Sequence, residues 1–251
     1  AVTEGGASDS YSVVLTSQPT ATVSVNLVFD PSQLVVAGDG DGVVSLSFNA
    51  GNWNLPQLVA VAAVDDTVIE PPVLGSPIVQ TVFSTDLIYA VINPADVSVT
   101  VGENDTRSIV YVLAGSGAAE TAGTASVDAR LQLSANGAPG GSLAEAMTAP
   151  VTLTLGSAEA ADLQLLSAAV SFPAGSANGA TQAIELAIDN DRMLEGAEPA
   201  TLGFGPVADY GSASGAHTLT INDDESAVLD FATPTGSAPE ASTPYTVNAR
   251  L

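Results

Sequence analysis

Acidic residues recur along this chain at a fixed spacing, and that spacing limits it to a tandem array. Glu4, Glu120 and Glu240 each stand eleven residues before a leucine: Leu15, Leu131 and Leu251. The last two glutamates lead into near-copies, Ser126-Val127-Asp128-Ala129-Arg130-Leu131 and Thr246-Val247-Asn248-Ala249-Arg250-Leu251. A single shift of 125 carries Asp66 to Asp191 and Glu70 to Glu195, so Asp65-Asp66 answers to Asn190-Asp191. Each copy closes on further acids, Glu103-Asn104-Asp105 and then Asn222-Asp223-Asp224. A unit of about 120 residues is therefore expected twice, over 1–105 and 106–224, with a third begun over 225–251. The first copy lacks most of its opening strand, and the chain reads as a window on a longer protein.

Charge narrows the partners. Twenty-eight acids face four arginines, with no lysine, giving a formal charge of -24. Such a surface repels phosphate, which argues against nucleic acid and anionic membranes as partners and for cations. Hydrophobic content of 46 % and a mean hydropathy of +0.32 mark a chain that folds despite that charge. Cysteine is absent, which excludes disulfides, thiolate catalysis and sulfur-ligated metals. The longest apolar run, Leu58 to Val64, is too short to span a bilayer.

Alternating apolar and polar residues, rich in β-branched types and broken by Gly, Pro, Asn and Asp, predict strands and turns. In the first copy they fall near 11–17, 22–29, 43–48, 57–64, 78–84 and 97–101, with a seventh before Glu4; its counterparts are 108–113 and 227–231. Seven short strands per copy describe all-β, tandem immunoglobulin-like antiparallel sandwiches. Only Ser142 to Met147 reads as a possible helical turn. Strands that alternate in direction bring the ends of the first, third, fifth and seventh to one pole, gathering Glu4, Asp65, Asp66, Glu70 and Asp105 there. Asp30 and the Gly38–Gly42 stretch lie on a loop that reaches the same pole, as do Glu159 and Asp162 in the second copy. The last strand leaves at this end, so the acids are expected at the junction with the next copy.

Two carboxylates about 4 Å apart repel by roughly 4 kcal/mol at an effective dielectric of 20, and a domain stable by about 5–15 kcal/mol cannot hold several such pairs without a cation. Oxygen-only ligands on loops suit calcium; zinc would want histidine or cysteine, and there is one histidine.

Val2-Thr3-Glu4-Gly5-Gly6, then Val64-Asp65-Asp66 with Glu70, then Val97-Ser98-Val99-Thr100-Val101 before Glu103-Asn104-Asp105, resembles the Calx-β domain. That module is named from sodium/calcium exchangers and occurs in long bacterial adhesins and integrin β4. The resemblance spans residues 1–224. It implies calcium ligands at Glu4, Asp65, Asp66, Glu70 and Asp105, and at Glu120, Asp191, Glu195, Asp223 and Asp224, with Asn190 in place of the first paired aspartate.

The reading that follows is a non-enzymatic, calcium-rigidified repeat of a long extracellular, bacterial-type adhesin or fibre. Its partners would be calcium and neighbouring modules of the same or identical chains. Two alternatives stand beside it: a calcium-sensing regulatory module, and a filament subunit in which residues 227–231 supply the missing first strand of another copy. His217 reads as structural, with no serine and acid set for a triad. Trp53 reads as packed, and the Asp39-Gly40-Asp41-Gly42 run as a turn or an extra ligand loop.

Overall fold

The computed structural model describes residues 1–208, 210–231 and 249–250, so most of the expected third copy lies outside the described residues. The first half contains β1 (Val2–Thr3), β2 (Asp9–Val13), β3 (Val23–Val28), β4 (Leu34–Val36), β5 (Val43–Phe48), β6 (Gln57–Ala63), β7 (Val68–Ile69), β8 (Val73–Gly75), β9 (Val79–Ser84) and β10 (Thr100–Gly102). The second contains β11 (Thr106–Tyr111), β12 (Gly115–Ala119), β13 (Thr124–Ala135), β14 (Ala138–Pro139), β15 (Ser142–Leu143), β16 (Met147–Leu155), β17 (Leu163–Leu165), β18 (Ala169–Phe172), β19 (Thr181–Ile188), β20 (Glu198–Phe204), β21 (Ser212–Ser214) and β22 (Ala216–Asn222). A short pair follows, β23 (Asp230–Phe231) with β24 (Ala249–Arg250).

In the second half the strands form two sheets, ordered β17-β19-β13-β11-β21 and β12-β22-β20-β16-β18. The first half repeats the plan with β2-β6-β4 against β1-β10-β8 and β5-β3-β9. Its last two pieces run together, because β8 and β9 are separated only by residues 76–78 and Ile78 exchanges backbone hydrogen bonds with Val97 at 2.9 and 3.0 Å. Alternation does the folding: β13 buries Val127, Ala129, Leu131 and Leu133 and turns the residues between them outward, so one face meets the opposite sheet. Each half has its own apolar core, one around Leu27, Phe48 and Ile78, the other around Ile109, Leu131 and Phe172.

Three differences from the sequence reading have local causes. Ser142 and Leu143 are strand, pairing in parallel with Val68 and Ile69, and Met147 opens β16, with a bend and no helical turn between them. The only helical turns among the described residues are Tyr89–Val91 and Glu120–Ala122. The short strands β4 and β17 were not foreseen: each leaves the loop of its half to pair with the edge of the opposite sheet, on β6 and β19. Finally, the first edge strand of each half lies parallel to the last strand, β1 along β10 and β12 along β22, where purely antiparallel sheets were expected.

The halves meet in a packed seam. Ile69, from the first half, is fully buried in the second core. Ser142 N–H donates to Thr67 O and Ala144 N–H to Ile69 O, both at 3.0 Å. Asn136-Gly137 turns β13 into β14 with φ of 53° and 73°, the doubly left-handed two-residue hairpin that Asn-Gly favours. Gly141 sits at φ 90°, and a Cβ there would lie 2.5 Å from Thr67 O and 2.7 Å from Ile69 Cδ1. Gly175 also has a positive φ, 81°, but open space around it. Gly141→Ala is therefore expected to lose clearly more stability in denaturant unfolding than Gly175→Ala, which carries only the backbone strain of about 1 kcal/mol. Equal losses would mean that the seam yields without cost.

Candidate metal centre

The parallel edge strands set the acids in place. Thr3 pairs with Gly102, so the next residue on each strand, Glu4 and Glu103, emerges at the same height, and Glu4 N–H donates to Gly102 O at 3.0 Å. In the second half Ala119 pairs with Asn222, and Glu120 emerges beside Asp223. The structure brings all ten acids of the sequence reading to these two strand ends, five to each.

Glu103 organises the first cluster. Its Oε2 accepts from Glu70 N–H at 2.6 Å and its Oε1 from Asp105 N–H at 2.7 Å. One carboxylate oxygen from each of Glu4, Glu70 and Glu103 falls within 4.8 Å of the others. Asp65 reaches in through Asn104, whose Nδ2 contacts Asp65 Oδ1 at 3.4 Å and donates to Glu4 O at 3.0 Å. Asp66 accepts from Val68 N–H at 2.7 Å and faces Glu4, Glu70 and Asp105. Glu4 is 4 % exposed, its Oε2 is buried without a hydrogen-bond partner, and the same holds for Asp105 Oδ2.

Electrostatically the cluster is strained. Burial, then the neighbouring Glu103, pushes the Glu4 carboxyl up to about 8. Glu70 and Asp105 are also raised, chiefly by burial and further by the acids around them, although Gln33 Nε2 and Asn136 N–H each oppose this with a hydrogen bond. At 4.8 Å and a dielectric of 20 each carboxylate pair repels by about 3 kcal/mol. Arg107, Arg130 and Arg192 form no ion pair with these acids; the Ala1 amine pairs elsewhere, with Asp9 at 3.2 Å. Arg107 instead lies buried over the Tyr210 ring, 3.4 Å from its centroid.

The second cluster repeats the wiring with different residues. Asp223 Oδ2 accepts from Glu195 N–H at 2.9 Å and Oδ1 from Glu225 N–H at 3.1 Å, so Asp223 takes the part of Glu103 and Glu225 that of Asp105. This corrects the alignment of the closing acids by one residue: Glu103-Asn104-Asp105 matches Asp223-Asp224-Glu225. Asp191 N–H donates to Glu120 Oε1 at 3.1 Å, and Asn190 Nδ2 contacts Asp224 Oδ1 at 3.4 Å. The acid–amide contact of Asp65 with Asn104 thus recurs with its partners exchanged, and the charge missing at Asn190 is restored across the contact by Asp224. The Glu225 carboxyl is raised, first by its hydrogen bond with Asp223. Glu120, Asp224 and Glu225 bring oxygens within 4.8 Å of one another.

A second group in this half, Asp162, Glu195 and Glu198, has the same spacing; Glu195 is raised by burial and then by Glu198, and Glu198 by burial and then by Asp162. Its counterpart in the first half is neutral at two positions, Gln33 and Val73, and Gln33 Nε2 donates to Glu70 Oε1 at 2.9 Å. Sequence reasoning missed Glu103, Glu198 and Glu225 as site residues. For Glu103 and Glu225 the signal was the shift of 120 that relates Glu103 to Asp223, hidden by the change of side-chain length.

Other expectations resolve plainly. Asp39 and Asp41 stay out of the clusters; Asp39 Oδ1 accepts from Asp41 N–H at 2.7 Å within their own turn. His217 is 2 % exposed and, unlike the reading from sequence, does have a serine at hand: Nε2 lies 2.8 Å from Ser116 Oγ. Its Nδ1 meets the Leu113 carbonyl at 2.8 Å where a triad would need a carboxylate.

No family model matches the sequence, and no curated protein matches it. Among solved structures, the apo form of the Calx CBD1 domain matches at 15 % identity over 48 % of this chain and 99 % of its own, with a TM-score of 0.40. CBD12 from CALX1.2 matches at 12 % identity over 88 % of this chain and 95 % of its own, TM-score 0.35. Domains 4 and 5 of the S-layer protein SbsC match at 15 % identity over 59 % and 64 %, TM-score 0.27. The likeness is a weak one of fold.

The exchanged acid–amide pair gives a direct test. Asp65→Asn is expected to weaken calcium binding by the first cluster, and adding Asn104→Asp to restore it, as read by isothermal titration with calcium chloride; a double variant no better than the single would refute the equivalence. Asp86, by contrast, serves the fold. Its Oδ2 accepts from Thr20 N–H at 2.7 Å and Thr20 Oγ1 at 2.8 Å, and its Oδ1 from Ile88 N–H at 2.9 Å; these bonds, Thr20 N–H first, lower its pKa below the free value of 3.8. A depressed acid stabilises above its free pKa, and that contribution fades as pH falls through the folded value. Asp86→Ala should lower the unfolding midpoint at neutral pH, lose that effect towards acid, and leave the calcium titration unchanged.

Proposed function

We propose that this chain is a non-enzymatic, calcium-binding structural repeat of an extracellular fibre or adhesin, in which the ion stiffens the joints between modules. The observation that carries the reading is the buried Glu4 carboxylate with an unpartnered oxygen, facing Asp66, Glu70, Glu103 and Asp105. The donors are all hard oxygens, which suits calcium, with its six to eight ligands at 2.3–2.6 Å, better than a metal that prefers nitrogen or sulfur. Glu4, Asp65, Asp66, Glu70, Glu103 and Asp105 would hold it in the first cluster. Glu120, Asp191, Glu195, Asp223, Asp224 and Glu225 would do so in the second.

Position supports a mechanical role. Asn136, on the hairpin of the second half, donates its N–H to Asp105 Oδ1 at 2.8 Å and its Nδ2 to Asp66 O at 2.9 Å. Two acids of the first cluster are thereby tied to the second half, and an ion that fixes them fixes the joint. A sensor would need an ordering step large enough to be read elsewhere, whereas here the seam is already packed around Ile69.

Thermal unfolding in excess calcium and then in chelator tests the reading. A ligand at 100 times its dissociation constant stabilises by about 2.7 kcal/mol per site, so the midpoint is expected to fall by several degrees on chelation. Equal midpoints would sink the proposal, and a submicromolar dissociation constant would favour the sensor.

A further inference from the structure

The same five residues, Ser-Ala-Asn-Gly-Ala, occur twice in the second half, as Ser134 to Ala138 and Ser176 to Ala180. An asparagine followed by glycine carries its own chemistry. The glycine nitrogen attacks the asparagine side-chain carbonyl carbon, since no Cβ on the glycine crowds the approach and the two groups belong to one short stretch of chain. A C–N bond closes a cyclic imide, the Cγ–Nδ2 bond breaks, and the amide nitrogen takes up the glycine N–H proton and leaves as ammonia. Water then opens the imide at either carbonyl, giving an aspartate or an isoaspartate, and no oxidant or cofactor is consumed. Alike in sequence, the two sites differ in what holds them.

At the second site both reacting groups are engaged. Gly179 N–H donates to Leu131 O at 2.9 Å, and Asn178 Oδ1 accepts from Leu133 N–H at 2.8 Å. Neither turns toward the other without breaking a hydrogen bond to β13. At the first site the hairpin tip is exposed, the space around Gly137 is open, and Gly137 N–H has no acceptor among the described residues. The side chain of Asn136 is held through its nitrogen, which donates to Asp66 O across the seam at 2.9 Å. Its carbonyl is left free.

We propose that Asn136 is a deamidation site whose conversion to a carboxylate loosens the seam between the halves. The nitrogen that leaves is the Nδ2 that donates to Asp66 O, so the product loses the donor and sets a carboxylate oxygen against a carbonyl. It also places a negative charge beside Asp66 and Asp105 of the first cluster. An isoaspartate further lengthens the backbone at the tip, displacing the N–H that serves Asp105. The change is one-way, because the ammonia is lost to solvent. At Asn178 the same conversion is silent: the bond there uses Oδ1 as acceptor, which a carboxylate keeps. None of this requires a bound ion, so the tests run in chelator and their outcome is independent of calcium binding.

The full chain is incubated at mildly alkaline pH, folded and separately in urea, and the amide-to-acid mass change at each site is followed by peptide mapping. In urea the identical pentapeptides convert at similar rates and set the reference. In the folded chain position 136 is expected to convert about tenfold or more faster than position 178, which two hydrogen bonds restrain. Equal folded rates, a faster position 178, or a position 136 that stays intact while the unfolded chain converts would each overturn the proposal. Asn136→Asp, which stands for the product, is expected to lower the thermal midpoint by about 2–4 °C, and Asn178→Asp to leave it unchanged. An Asn136→Asp chain as stable as the parent would refute the effect on the seam.

Discussion

Repulsion between buried carboxylates is the constraint around which the strand ends of this protein are built. Left alone, Glu4, Glu70 and Glu103 would push the strand ends apart, since oxygens held within 4.8 Å at low solvent exposure repel by several kcal/mol in sum. What holds them is backbone. Glu103 is fixed by two main-chain N–H donors, and Asp223 repeats the device with a shorter side chain. Charge-assisted hydrogen bonds of this kind fix position but leave net charge in place. With Arg107 spent on Tyr210, neutralisation has to come from solution or from protonation, and the high pKa of Glu4 expresses the second route. Under the proposed function, ion binding and the parallel edge strand belong together, because the parallel register is what sets Glu4 and Glu103 side by side.

Much of this was legible in the sequence. The alternation of buried and exposed residues fixed most strands to within a few positions, and strand parity alone brought Glu4, Asp66, Glu70 and Asp105 to one pole. What escaped depended on length and register. Glu103 and Asp223 differ by a methylene, so aligning like with like matched Asn222 to Glu103 and put the closing acids out of step by one. Strands β4 and β17 are three residues long and pair with the far sheet, a contact that local pattern does not report. Ser142 to Met147 reads as a helical turn by itself, and only the pairing of Ser142 and Leu143 with Val68 and Ile69 draws its start into a strand. The serine beside His217 lies on β12, which the sequence reading did not separate from β11.

Comparison of the copies shows which features the fold protects. Asp65 with Asn104 becomes Asn190 with Asp224: the contact keeps one acid and one amide, and each cluster keeps six carboxylates. A seventh charge at that contact would add another repelling pair without another donor. Away from it the copies diverge. Where the second half groups Asp162, Glu195 and Glu198, the first has Gln33, Glu70 and Val73, and the Gln33 amide satisfies Glu70 directly. An amide donor there does part of what a cation would do, at lower charge, where the second half groups three converging acids.

The seam itself has two layers with different physics. One is apolar and local: Ile69 in the neighbouring core, β7 alongside β15, and Gly141 admitting the close approach. Removing an ion leaves those contacts intact, so the halves remain joined. The other layer is the hydrogen bonding of Asn136 to Asp105 and to the Asp66 carbonyl, which runs through the charged cluster and weakens if those loops relax. Under the proposed function, calcium then acts on stiffness more than on attachment: it narrows the range of angles at a hinge that is already closed. A fibre gains from that division, since loss of the ion softens the array without severing it.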